Sequence, residues 1–108
     1  MRVFDIDKFS IPYQFDTLID DKTYTMQVNY NNRHDFFTID LYHNEELIVA
    51  SEKLIYEKPL FIGLDYLDIP KSVLVPLSID TEEERVTWDN LGKTVYLYLL
   101  GDDYEAIP

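Results

Sequence analysis

The chain has 108 residues, 21 acidic against 9 basic for a formal charge of −12, and no cysteine. That length suits one domain, the absence of thiols excludes disulfides and thiol chemistry, and a field of that sign argues against nucleic acid and anionic membranes as partners. Nine tyrosines, in a chain that is 15% aromatic, fit half-buried sheet faces and protein contacts.

The N-terminal stretch Met1-Arg-Val-Phe-Asp-Ile-Asp-Lys8 has no apolar run followed by a small-residue cleavage site, so no signal peptide is expected. No apolar run is long enough for a spanning helix. Period-2 alternation dominates over helical spacing. Arg2 to Ile6 reads as a first strand, and Ser10-Ile11-Pro12 as a break, because proline removes a donor and restricts its neighbour. Tyr13 to Ile19 is a second strand, with Tyr13, Phe15, Thr17 and Ile19 on one face. Asp20-Asp21-Lys22 is a turn.

Tyr24 to Tyr30 alternates cleanly, with Tyr24, Met26, Val28 and Tyr30 aligned, as in a half-buried antiparallel strand. Asn31 to Asp35 turns the chain, asparagine tolerating left-handed backbone. Phe36 to Tyr42 returns with Phe37, Ile39 and Leu41 on one side, His43 to Glu46 turns again, and Leu47 to Ala50 begins a strand that Ser51 to Tyr56 can extend. Consecutive hairpins must close on themselves or pack on a second sheet.

Pro59 to Pro70 follows neither period and reads as a loop with one helical turn, laid over an open end of the sheet. Val73 to Ile79 alternates, but Pro76 makes it an edge or bulged strand. Thr81-Glu-Glu-Glu-Arg85 is an acidic turn, and Trp88 to Leu91 a short 3₁₀ or helical turn. Thr94 to Leu100 is apolar on both faces, as a central strand would be, or one covered by a partner chain. Residues 102–108 read as a flexible tail. The expectation is an all-β fold: one small antiparallel β-sandwich or partly open β-barrel over residues 1–108, with about seven or eight strands and little helix.

Reactive groups are sparse. His34 and His43 lie nine positions apart beside turns, without the close spacing of metal ligands. The carboxylate pairs Asp5/Asp7, Asp20/Asp21, Asp65/Asp68 and Asp102/Asp103 fit turn chemistry and solubility, since no calcium-loop pattern surrounds them. No serine sits in a Gly-X-Ser-X-Gly elbow, and no glycine loop could cradle phosphate. Neither an enzyme nor a bound metal or cofactor is expected. Trp88, the sole tryptophan, reads as a core residue.

One pattern points further. Asn29-Tyr30-Asn31-Asn32-Arg33, then Asp40-Leu41-Tyr42, then Asp89-Asn90-Leu91-Gly92 before a terminal apolar strand resembles the small baseplate plug proteins of tailed bacteriophages. Their pattern runs "YNxR", "DLY" and "DxLG" in that order. Pro12-Tyr-Gln-Phe15 is similar to an early motif of the family, one residue shorter, and the leucines between Pro59 and Leu67 fit another. The likeness spans residues 12–100. It departs where the family often carries glycine, since this chain has Asp68-Ile-Pro-Lys-Ser72 and Asn44-Glu-Glu46 there.

The resemblance implies a structural protein of the virion tail, made in the host cytoplasm and placed at the baseplate near the hub. Its partners would be the hub, the tail tube and the tape measure, with homo-oligomerisation in the assembled tail as an option and no direct contact with nucleic acid or membrane. It also implies roles for residues: Arg33 pairing with Asp40 across the hairpin or with a partner carboxylate, Gly92 adopting a backbone closed to other residues, and Tyr30 and Tyr42 flanking the hairpin at the surface. Composition leaves two other readings open. An acidic inhibitor or DNA mimic fits the charge, and a carbohydrate-binding β module fits the tyrosines.

Overall fold

The computed structural model describes residues 2–100; the tail expected at 102–108 lies outside them. Seven strands follow in order: β1 (Arg2–Phe4), β2 (Tyr13–Ile19), β3 (Lys22–Asn31), β4 (Phe36–His43), β5 (Glu46–Lys53), β6 (Val73–Leu77) and β7 (Tyr96–Leu100). They form two antiparallel sheets, β2-β3-β4-β5 and β1-β7-β6. The all-β expectation is met, in its sandwich form and not as a closed barrel. Among the described residues the only helical element is a 3₁₀ turn at Lys8–Ser10, where the sequence showed a break.

The larger sheet is a meander because each turn is locally specified. Asp20 and Asp21 (φ 53° and 64°) join β2 to β3, and Asn44 and Glu45 (φ 52° and 66°) join β4 to β5. Two successive positive φ angles make the type I′ geometry whose twist matches paired strands. Inner-face residues Tyr24, Met26, Val28, Phe37, Ile39 and Leu41 are almost fully buried. Each such burial contributes about 1.5–3 kcal/mol. They meet Phe4, Leu74, Leu97 and Leu99 of the smaller sheet in one core.

β5 carries irregularities. Its register with β4 shifts between Ile39 and Leu41 and again between Leu41 and Tyr42, and Ser51 has φ 56°. These bulges explain why alternation fades after Ala50.

Strand ends differ from the sequence reading for stated reasons. β1 stops at Phe4 rather than Ile6, because Asp7 caps the 3₁₀ turn by accepting from the Phe9 N–H (3.1 Å) and the Ser10 hydroxyl (2.7 Å). Ile6 is nonetheless buried. β7 starts at Tyr96 rather than Thr94, because the Thr94 and Val95 N–H groups donate to the Asn90 carbonyl (3.0 and 2.9 Å).

β7 is central in its sheet and β6 is at its edge, as Pro76 requires. The Pro76 carbonyl faces away from β7 and accepts from the Glu57 N–H (2.7 Å), and the Leu74 carbonyl accepts from Leu60 (2.8 Å). The missing proline donor therefore lies on the outer edge, where no strand needs it. The two sheets are also stapled at β1, where the Arg2 guanidinium donates to the Leu18 carbonyl (2.7 Å) and to Thr17 Oγ1.

Candidate functional site

The motif residues singled out from sequence do not form one cluster. Leu41 and Leu91 are core residues. Asn29 and Asp40 lie on the outer face of the larger sheet, within a polar chain. Gln14 donates to Gln27 (2.9 Å), Gln27 to Asn29 (3.0 Å), and Asn29 to Asp40 (3.3 Å). Asp40 also accepts from the Ser51 N–H (2.7 Å), which satisfies the bulge in β5. Tyr42 is half-buried on that same outer face, beyond Asp40. A groove of about 740 Å³ opens beside Asn29, Phe36 and Thr38, with Lys53 Nζ 4.6 Å from the centre of the Phe36 ring.

The expected pairing of Arg33 with Asp40 is not found. Arg33 sits in the β3–β4 turn, where Asn31 Oδ1 accepts from the N–H groups of Arg33 (3.0 Å) and His34 (3.1 Å). Asp40 lies four residues beyond the start of β4, about 13 Å along the strand at 3.3 Å per residue. Among the described residues Arg33 makes no ion pair, and it is exposed.

The same turn instead builds an apex from three distant segments. Asp35 (φ 55°) accepts from the Tyr30 hydroxyl (2.7 Å) and from the Trp88 N–H (2.8 Å). Arg85 donates to the carbonyls of His34 (3.2 Å) and Asp35 (2.6 Å), and lies 3.7 Å from the Asp35 carboxylate. The bond from Trp88, then that from Tyr30, holds the Asp35 carboxyl below its ordinary value, with Arg85 adding to the effect. The bond to Asp35 in turn pushes the Tyr30 phenol up.

Above this bond the rings stack. Trp88 lies parallel to Phe37 (centroids 6.0 Å) and tilted to Tyr30 (4.9 Å). Phe9, 87% exposed, meets it edge-on at 5.9 Å. Lys8 Nζ donates to the Trp88 carbonyl and lies 5.2 Å from its ring centre. Phe9 and Arg33 are exposed here, while Lys8 is half-buried with its ammonium tied to the Trp88 carbonyl.

Asn90 organises the segment behind it. Its side chain accepts from the Thr87 N–H (2.8 Å) and donates to the Arg85 carbonyl (2.9 Å) and to Glu83 (3.1 Å). Gly92 follows at φ 83°. Asp89 and Gly92 are exposed, and Asp89 is close enough to Tyr30 to add to the rise of its phenol.

Sequence reasoning missed Asp35, Arg85 and Asn90. The usable signal was the single tryptophan, half-buried and packed against the core, with an arginine and an asparagine close by in sequence.

The other end of the larger sheet is held differently. Asp20 accepts from the N–H groups of Lys71 (2.8 Å) and Ser72 (2.9 Å) and from the Ser72 hydroxyl (2.5 Å). Partial burial opposes its charge, but these bonds outweigh it and keep the carboxyl below its ordinary value. Asp68 pairs with His43 Nδ1 and with Lys22 (3.3 Å), and the His43 bond draws its carboxyl down. Among the described residues no group of three His, Asp or Glu could hold a metal ion.

Fold and apex together define a small β-sandwich protein in which polar side chains serve to fix loops and to present surface. The family described as cyanophage baseplate Pam3 plug gp18 matches residues 1–102, and the chain belongs to that family of phage baseplate proteins. No curated protein matches the chain.

Proposed function

We propose that the protein works by binding, as a structural piece of a phage tail tip that closes or organises the baseplate next to the hub. Its partners are other tail proteins, the hub and tail tube first, and its place is the virion. It performs no chemistry. The observation that carries this reading is the match of the baseplate plug family over residues 1–102. The apex supports it, because a solvent-exposed aromatic, Phe9, packed on a hydrogen-bonded base beside a turn with an exposed Arg33 suits a protein partner.

Mixing the purified chain with the hub and tube proteins of the same phage tests it. Stable co-elution, and the chain's presence in virions, are expected. Phe9→Ala with Arg33→Ala should weaken that association about tenfold, the scale of one good contact, without lowering the unfolding midpoint. Failure of the intact chain to associate with either protein, together with its absence from virions, overturns the reading.

A further inference from the structure

Two open sheets have four edges, and an edge strand offers unpaired N–H and C=O groups to any extended chain. Three of the edges here are blunted. β6 is covered, because the Glu57 and Leu60 N–H groups take its outward carbonyls. β5 is broken by two register shifts and by Ser51 at φ 56°. β1 is only three residues long. The fourth, β2, runs seven residues in unbroken register with β3 and has no strand on its other side.

The β2–β3 turn decides which groups of β2 face outward. Asp20 and Asp21 make a two-residue turn, so Ile19 and Lys22 exchange both bonds. The bonding to β3 then recurs at Thr17, Phe15 and Tyr13, and the backbone groups of Gln14, Asp16 and Leu18 point away from β3. The Arg2 guanidinium donates to one of them, the Leu18 carbonyl (2.7 Å). Among the described residues no backbone group bonds to the others. Gln14 and Asp16 are exposed and Leu18 is 58% exposed, so no side chain covers this edge.

Beside the edge the sandwich is open. A groove of about 320 Å³ lies between β1 and β2, walled by Phe4, Asp5, Tyr13, Phe15 and Asp16. Phe15 is half-buried there, with Phe4 and Tyr13 ring centres 6.1 and 5.8 Å away. A strand laid along β2 would direct the side chains opposite Phe15 and Thr17 inward, toward this groove, and the one opposite Asp16 to the outer face.

Charge and register choose the occupant. Arg2, the one cation of the groove, is committed to Leu18 and Thr17. The Asp16 carboxylate, in the middle of the edge, accepts only from the Thr25 hydroxyl (2.6 Å). Two copies of β2 pairing antiparallel align all three outward residues only when Asp16 meets Asp16, and like charges directly opposite destabilise a sheet. Sliding the register sets Pro12, which has no donor, or the turn residue Asp20 against the edge.

We propose that the outer edge of β2 takes an extended segment of another baseplate protein as an added strand, with a lysine or arginine opposite Asp16 and apolar side chains flanking it in the groove at Phe15. This rests on the baseplate reading above and names a contact that reading uses.

The test mixes the full, isotopically labelled chain with the purified hub and tube proteins of the same phage and follows amide exchange residue by residue. In the chain alone, the Gln14, Asp16 and Leu18 amides should exchange freely, while Phe15 and Thr17 are protected by β3. In the complex, exchange at the first three should slow at least about tenfold. Asp16→Pro removes an outward donor and no bond to β3, and should lower affinity at least about tenfold. Asp16→Lys keeps the backbone and reverses the charge; it should also weaken binding, and it keeps the test informative if the proline variant unfolds. Wild-type affinity should fall as salt rises from about 0.05 to 0.5 M.

A complex that leaves the three amides exchanging freely overturns the added strand and leaves the baseplate reading standing. Binding indifferent to Asp16→Lys and to salt overturns the cation opposite Asp16. Protection already present in the chain alone also overturns the proposal: protection lost on dilution makes a second copy the occupant, and protection that survives dilution makes it the chain's own terminal residues. Failure of the intact chain to associate with either protein overturns the proposal, and absence from virions as well takes the baseplate reading with it.

Discussion

The two ends of the larger sheet are both held by aspartates, yet they are held in different ways. At the apex, Asp35 bonds the Trp88 N–H and the Tyr30 hydroxyl beneath a stack of Trp88, Tyr30 and Phe37. At the opposite end, Asp20 bonds Lys71 and Ser72, and Asp68 bonds His43 and Lys22, with one ring contact, Tyr24 on His43 at 4.9 Å. A carboxylate accepting backbone N–H groups fixes where a loop goes in both cases. Only at the apex do large rings add burial to the bond, and there Phe9 and Arg33 stand exposed, Phe9 edge-on to Trp88. The opposite end holds a loop; the apex holds a loop and displays a surface.

Acid is the broadest way to separate them. Asp20, Asp35 and Asp68 all have carboxyls drawn below the ordinary 3.8. A depressed folded value means that the stabilisation is complete above the unfolded value and disappears as pH falls through the folded one. The urea midpoint should therefore be flat from about pH 5 to 7 and drop below about pH 4. Trp88 fluorescence should follow the apex through this range. Loss of stability above about pH 5 would show that other groups control it.

Substitution at the apex comes next in size. Asp35→Ala removes two charged hydrogen bonds and places alanine at φ 55°. Charged bonds contribute about 1.5–3 kcal/mol when buried. The carboxylate is 39% exposed, so solvent screening reduces that to about 1–2 kcal/mol. Aspartate itself carries a Cβ at this φ, so the left-handed backbone adds little to the difference. The loss, about 1–2 kcal/mol, should appear as a lower urea midpoint at unchanged slope. An unchanged midpoint would mean that the ring stack alone holds the apex.

Gly92→Ala probes the segment behind that stack. An added Cβ would meet nothing within 4 Å, so only the backbone at φ 83° resists it. The expected cost is about 1 kcal/mol. A loss above about 3 kcal/mol would require a clash that the geometry does not contain.

These distances also explain what could be read in advance. The hairpins from Tyr13 to Lys53 were legible because each decision is local: Tyr24, Met26, Val28 and Tyr30 alternate, and Asp20, Asp21 and Asn44 mark the turns. The smaller sheet was legible only in part. Pro76 and the two-faced apolar strand correctly marked an edge and a centre, but β1 pairs with β7 across nearly the whole chain, and nothing local encodes that. The apex was illegible for the same reason, because Asp35 and Trp88 stand 53 residues apart. Arg33 misled because it is the nearest cation to Asp40 in sequence, while strand length carries them apart and Arg85 takes the carboxylate in the turn.

The smallest effect belongs to the end without the ring stack. Asp20→Asn keeps a residue that tolerates φ 53° and keeps one oxygen to accept from Lys71 or Ser72, while removing the charge. The expected loss is under about 1 kcal/mol, because the site is open to solvent and neutral bonds replace charged ones. Hydrogen exchange at Lys71 and Ser72 should quicken, while Trp88 fluorescence and apex binding stay as they were. Should the Trp88 signal move with this substitution, the two ends are coupled through the strands of the larger sheet, and the apex cannot be treated as a surface fixed by its own bonds.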